Sequence, residues 1–194
     1  MLQLMKNNPF ILRVISVILC IDQYELSERE RTIGGGKMSF RIIVQLFVAL
    51  MVFIISILVA WYEGSQIRNV SWEWKYTTIF SEMLNGPVKQ ASDILTIDYF
   101  VYAAKFFPAF PLLMLLSGTY LLILIGYSLL KQNNKKFSYF LTCIGVLFLT
   151  LGGLVSNSPT YGLKLFFYSF IFIGISSIGI SLLRLSKNKT KEIY

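Results

Sequence analysis

The stretch from Ile42 to Tyr62 reads IIVQLFVALMVFIISILVAWY and contains no charged residue. At 1.5 Å rise per residue, about 20 apolar residues in an α-helix cross the hydrocarbon core of a bilayer, which is about 30 Å thick. A strand of a membrane barrel would instead alternate polar and apolar side chains over about ten residues. The stretch therefore predicts a transmembrane helix, and it decides the class of the fold.

Three further stretches are of similar length and also contain no charged residue, at 106–130, 137–155 and 165–183. Charged residues make up only 14% of the whole chain, where a soluble domain carries about 25%. Only helices or closed barrels satisfy backbone polar groups in hydrocarbon. We therefore predict an all-α membrane protein with four transmembrane helices, at about 42–62, 106–130, 137–155 and 165–183, within a membrane domain at 38–194.

Basic residues set the orientation of the predicted helices. Lys37 and Arg41 precede the first helix, the link KQNNKK at 131–136 holds three lysines, and the tail at 184–194 is also basic. The link at 63–105 is mixed, with four basic and five acidic residues. The positive-inside rule then predicts that both termini are cytoplasmic and that 63–105 lies outside. The net charge of +8 thus acts on orientation in the lipid bilayer, and we predict no nucleic-acid partner.

The link at 63–105, called the outer segment below, carries a helical pattern. From 72 to 85, apolar side chains recur at i, i+4, i+7, i+8, i+11 and i+12, at Trp72, Tyr76, Ile79, Phe80, Met83 and Leu84. We predict one helix here, with Ser71 as its N-cap and Gly86-Pro87 as its end, and a second helix from about 92 to 107. The apolar face of the first helix can lie in the headgroup region or cap the outer ends of the spans.

A candidate partner surface is predicted on the same segment, at Trp72, Trp74, Lys75, Asp98 and Lys105. Trp74 falls on the polar face of the predicted helix, a position that lipid anchoring does not explain. It is therefore the first candidate for a contact with a membrane or envelope protein, although a packed outer subdomain would also bury it. Asp98 and Lys105 are seven residues apart and share one stripe of the second predicted helix.

No catalytic, cofactor-binding or metal-binding residue is predicted. The sequence has no histidine, and its two cysteines, Cys20 and Cys143, lie far apart, so the commonest general base and the usual metal-ligand spacings are missing. Asp93 and Asp98 are the nearest carboxylate pair, but no recognised spacing joins them to a nucleophile or base. We predict a non-enzymatic interaction or accessory protein that acts through its outer segment. The alternative is a small oligomeric channel or transporter, which spans without ionisable groups do not favour.

Four short runs stand out between 61 and 111. They are WYEGS at 61–65, EWKY at 73–76 leading to FS at 80–81, and DYFVYAAK at 98–105 ahead of Pro108 and Pro111. In these runs the chain resembles the YjdJ-like family of small uncharacterised membrane proteins of Bacillus-type bacteria, over roughly 38–130. The resemblance implies a bacterial plasma membrane and a domain of unknown function, and it supplies no catalytic residue.

The run IGGGKMSF at 33–40 bears on where translation begins. Its Gly-Gly-Gly-Lys-Met codons are purine-rich and have the form of a bacterial ribosome-binding site just before an ATG. We therefore expect Met38 to be the native start and residues 1–37 to come from a mis-extended upstream reading frame. The alternatives are a flexible glycine linker after an amphipathic N-terminal helix, or a disordered N-terminal segment.

Overall fold

The computed structural model describes residues 40–130 and 133–193, with side chains as far as Ser186. The prediction about residues 1–37 and Met38 lies outside the described residues. Within these ranges the chain forms seven α-helices and no strand. They are α1 (Phe40–Gly64), α2 (Trp74–Thr77), α3 (Ile79–Asn85), α4 (Thr96–Phe106), α5 (Ala109–Leu130), α6 (Asn134–Val155) and α7 (Tyr161–Ile193).

Four of these helices, α1, α5, α6 and α7, are long and apolar enough to cross a membrane, which confirms the predicted fold class. Their bounds differ from the prediction at several ends. The second candidate span starts at Ala109 rather than at 106, because Pro108 disfavours a helical conformation at Phe107 and separates α5 from α4. The third starts at Asn134, where the Asn133 side chain caps the helix by accepting from the backbone N–H of Lys136 at 3.2 Å.

Helices α6 and α7 form the most extensive helix–helix contact of the described chain. Gly145 and Gly174 face each other, and a Cβ added to Gly145 would lie 2.9 Å from the carbonyl oxygen of Gly174. The hydroxyls of Thr142 and Ser181 are 2.8 Å apart, and Ser181 also donates to the carbonyl of Ser138 at 2.7 Å. Small residues and interhelical hydroxyl bonds are the usual means by which membrane helices associate.

Helix α1 is packed along one narrow stripe. Its buried residues are all small, namely Ala49, Ser56, Ala60 and Gly64, and most of its large apolar side chains are exposed. The last of the four, Gly64, lies where the helix meets the outer segment. The end of α1 is therefore a buried, packed position at which the outer segment begins.

Candidate functional site

The outer segment begins with two 3-10 turns, Ser65–Asn69 and Ser71–Glu73, and continues into α2 and α3. The predicted single helix over 72–85 is wrong, because Thr78 (φ −85°, ψ 48°) breaks it. The Thr78 hydroxyl and backbone N–H both donate to the carbonyl of Trp74, at 2.7 and 3.0 Å. These bonds close α2 after a single turn, so α3 can leave in a new direction.

The predicted helix ends are corrected in the same way. Ser71 makes no capping bond and lies inside a 3-10 turn, whereas Gly86 does end α3 with the positive φ of 79° that glycine tolerates. The second helix starts at Thr96 and not near 92, since Ile94 and Leu95 are extended. Helix α4 is consequently short, and its two ends carry Asp98 and Lys105.

Asp98 lies at the centre of the segment and is fully buried (0% exposed). Its Oδ1 accepts from the backbone N–H of Phe80 at 3.1 Å, and its Oδ2 accepts from the backbone N–H of Ser81 at 2.8 Å and from the Ser81 hydroxyl. The Ser81 hydroxyl in turn accepts from the backbone N–H of Leu95 at 2.8 Å. A carboxylate on α4 therefore supplies acceptors for the first turn of α3, whose amides have no partner within their own helix.

Lys105 performs the complementary task at the other end of α4. Its Nζ donates to the backbone carbonyl of Tyr76 and to the Thr77 hydroxyl at 3.1 Å, so a cation lies at the last turn of α2. Burial lowers the pKa of Lys105, and the nearby carboxylates of Glu73 and Asp98 oppose that shift. Asp98 and Lys105 thus fasten α3 and α2 along the length of α4.

Trp74 joins α2 to the 3-10 turn that follows α1. Its indole Nε1–H donates to the carbonyl of Ile67 at 2.8 Å, and its ring packs against an apolar cluster formed by Ile67, Ile94, Tyr99 and Tyr102. Burial raises the pKa of the Tyr102 hydroxyl, and the Glu73 carboxylate adds to the shift. The indole is therefore a structural link within the outer segment.

Two glycines allow the backbone of α4 to lie in direct contact with two of the candidate spans. A Cβ on Gly64 would overlap the backbone of Tyr99, and a Cβ on Gly162 would overlap the carbonyl oxygens of Ala104 and Lys105. Helix α4 therefore touches the end of α1 and the start of α7 at backbone distance, and Pro108 follows it directly into α5. The segment is held to the helices at three places.

The five predicted partner-surface residues do not form one exposed patch. Trp72 (73% exposed) and Lys75 are exposed, Asp98 is buried, and Trp74 and Lys105 are partly buried and bonded within the segment. Sequence reasoning missed the partners of these groups, Thr77 and Ser81. The sequence did contain a signal for them. Both residues lie opposite the apolar face of the predicted helix, and hydroxyls on that side can bond a buried charged group.

The burial of the outer segment excludes one of the two positions predicted for its apolar face. Thr77, Thr78 and Ser81 are buried, whereas all six residues of the predicted apolar face are exposed. The interpretation that this face caps the outer ends of the spans is therefore wrong. Polar side chains can fill the buried side because each has a partner. Ser81 bonds the Asp98 carboxylate, Thr77 accepts from the Lys105 ammonium, and Thr78 donates to a carbonyl of α2.

An open depression of about 480 Å³ lies beside α3, lined by Asn85, Gly86, Pro87, Lys89, Ser92 and Asp93. Asp93 accepts from the backbone N–H groups of Gln90 and Lys89 at 3.1 and 3.2 Å, which lower its pKa. In the described part of the chain, no cluster of three acidic or cysteine side chains is placed to hold a metal ion.

Comparison with known proteins matches the first half of this architecture. Residues 43–130 match DUF4306, a domain of unknown function. Over 100 residues, which are 49% of this chain and 91% of the relative, the chain is 36% identical to "Uncharacterized protein YjdJ" of Bacillus subtilis (strain 168). No solved structure matches the chain. The DUF4306 match contains most of α1, the whole outer segment and α5.

Proposed function

This chain belongs to the YjdJ-like family that carries DUF4306, and from that premise we propose that it is a non-enzymatic membrane protein acting through its outer segment. In this proposal the four candidate spans cross a bacterial plasma membrane with both termini in the cytoplasm. The outer segment then contacts another membrane or envelope protein on the outside. The lysines of the 131–136 link and of the tail support this orientation.

The observation that carries the proposal is how the buried charges of the outer segment are used. Asp98 and Lys105 bond backbone groups of α2 and α3, and Gly64 and Gly162 press α4 against two candidate spans. Groups committed in this way maintain a shape and are not available to react with a substrate. A segment held so firmly is preorganised, and preorganisation reduces the entropic cost of binding a partner.

The proposed contact surface is the charged, exposed part of the segment. Of the residues predicted for the partner surface, Lys75 is retained. Glu82 and the depression lined in part by Lys89 are added to it. Asp98, Lys105 and Trp74 contribute by holding this surface in place. Opposite charges on one small surface favour a partner with a complementary pattern, because such patterns direct specificity and association rate.

Site-specific photocrosslinking in native membranes tests the proposal. A benzophenone amino acid at Lys75 or Lys89 should give a discrete crosslinked protein, and the charge reversal Lys89→Glu should weaken the product formed from position 75. The same probe at Tyr139, an exposed residue of α6 near the 131–136 link, serves as the control for random capture. If positions 75 and 89 give no product beyond that of position 139, the proposal is refuted.

The small oligomeric channel or transporter stays the alternative prediction. Five hydroxyls that could line a path through the candidate spans donate to carbonyls of their own helices instead. They belong to Ser56, Ser117, Thr119, Thr150 and Ser169. This pattern is the ordinary way in which membrane helices satisfy hydroxyls, and no described contact favours a path over it.

A further inference from the structure

The segment from Trp72 to Leu84 carries its apolar side chains outward. We call the exposed set the outer ridge, and it consists of Trp72, Tyr76, Ile79, Phe80, Met83 and Leu84. Met83 (78% exposed) and Leu84 (73% exposed) are among the most exposed large apolar residues of the described chain. Water-facing surfaces rarely carry so many contiguous apolar side chains without an interaction that covers them.

The position of the ridge relative to the candidate spans follows from its attachments. Asp98 and Lys105 hold α3 and α2 directly on α4, and Gly64 and Gly162 hold α4 on the ends of two candidate spans. The ridge therefore lies on helices that pack on α4, and α4 in turn touches the ends of two of the apolar helices.

The ridge also contains the same exposed aromatic residue types as the ends of two candidate spans. Trp61 and Tyr62 are exposed at the end of α1, and Tyr161 is exposed at the start of α7. Tryptophan and tyrosine concentrate at membrane–water interfaces because their rings are apolar while one edge is polar. The ridge adds two more residues of these types, Trp72 and Tyr76, which are also exposed.

We propose that the outer ridge inserts into the adjacent leaflet of the protein's own bilayer, at the boundary between headgroups and acyl chains. A lipid occupant explains why the ridge is apolar and aromatic while the opposite side of the same helices is polar and buried. The segment is joined to α1 through 65–73 and to α5 directly after Phe106, and these short connections leave it little freedom to rise from the surface. Lys75 and Glu82 stay in contact with water, so this inference does not rest on the proposed protein partner.

Spin-label accessibility tests the insertion in vesicles of phosphatidylglycerol and phosphatidylethanolamine. The full chain is used with Cys20→Ser and Cys143→Ala, and with one new cysteine at a time carrying a nitroxide. The test position is Met83→Cys, and the matched control is its exposed neighbour, Glu82→Cys. We expect oxygen, which concentrates in lipid, to relax the label at 83 several-fold more than a water-soluble nickel chelate does, and the reverse at 82.

Two outcomes overturn the inference. Equal nickel access at 83 and 82 would mean that the ridge faces water. Exclusion of both oxygen and nickel at 83 would mean that a protein surface, from a partner or a second copy, covers the ridge. Trp72→Cys repeats the measurement at the other end of the ridge, so that a local disturbance at one position does not decide the result. The photocrosslinking experiment at Lys89 tests the proposed protein partner independently of this measurement.

Discussion

Replacing Asp98 with asparagine removes one of two acceptor oxygens at the centre of the outer segment. In the native chain Oδ2 accepts from the backbone N–H and the hydroxyl of Ser81, and Oδ1 accepts from the backbone N–H of Phe80. Asparagine keeps one carbonyl oxygen and turns an NH₂ group, which can only donate, towards groups that also donate. The substitution changes almost no volume, so its effect reports the hydrogen bonds.

The size of the effect follows from those bonds. A hydrogen bond to a charged group contributes about 1.5–3 kcal/mol, and a buried donor left without an acceptor costs about 1–3 kcal/mol. If the asparagine oxygen stays on Phe80, the Ser81 N–H loses its acceptor, while the Ser81 hydroxyl can rotate to accept from the new amide. We expect the free energy that holds α3 on α4 to fall by about 2–4 kcal/mol, which is roughly a 30- to 1000-fold change in the opening equilibrium.

Hydrogen exchange at the backbone amides of Ser81 and Leu95 measures this opening in the reconstituted protein. The matched control is Asp93→Asn, the same chemical change at a carboxylate whose bonds go to Lys89, Gln90 and Ser92 instead. Exchange at Ser81 should accelerate by the factor above in Asp98→Asn and stay near wild type in Asp93→Asn. Equal exchange in the two variants would show that the buried carboxylate does not hold the helices together.

Three further predictions concern the mounting of the segment and its acidic turn. Gly64→Ala should lower the thermal stability of the purified protein by about 1–3 kcal/mol through overpacking, whereas Gly153→Ala, with no atom within 4 Å of the added Cβ, should not. Gly162→Ala should expose the amides of α4 to exchange, with Gly179→Ala in the same helix as the open-space control. Because the pKa of Asp93 is lowered in the folded chain, its contribution should be present above the ordinary value of about 3.9 and vanish as pH falls through the lowered one; the Gln90 amide NMR shift should follow this transition and lose it in Asp93→Asn.

The candidate spans could be predicted because the bilayer imposes one length and one polarity on them. The run at 42–62 is long and free of charged residues, so it has no competing interpretation. The ends were harder to place, since Asn133 caps α6 with a polar side chain that lies outside the apolar run. Local sequence therefore determined the core of each helix better than its boundaries.

The arrangement of the outer segment could not be predicted, for a different reason. The helical wheel correctly separated the residues from Trp72 to Leu84 into an apolar and a polar side, but it could not say which side faces the protein. That choice depends on Asp98, which is 17 residues from Ser81 in sequence. The break at Thr78 also depends on context, because a threonine in a helix can bond an earlier carbonyl without ending the helix.

The contact between α4 and Gly162 has a consequence for the order of assembly. Helix α4 precedes α5, α6 and α7 in the chain, yet one of its two backbone contacts is with the start of α7. During synthesis α4 can meet Gly64 before α5, α6 and α7 are made, but its contact with Gly162 cannot form until α7 has been made and has packed against it. The contact of α4 with Gly162 is therefore a late event in the assembly of the chain.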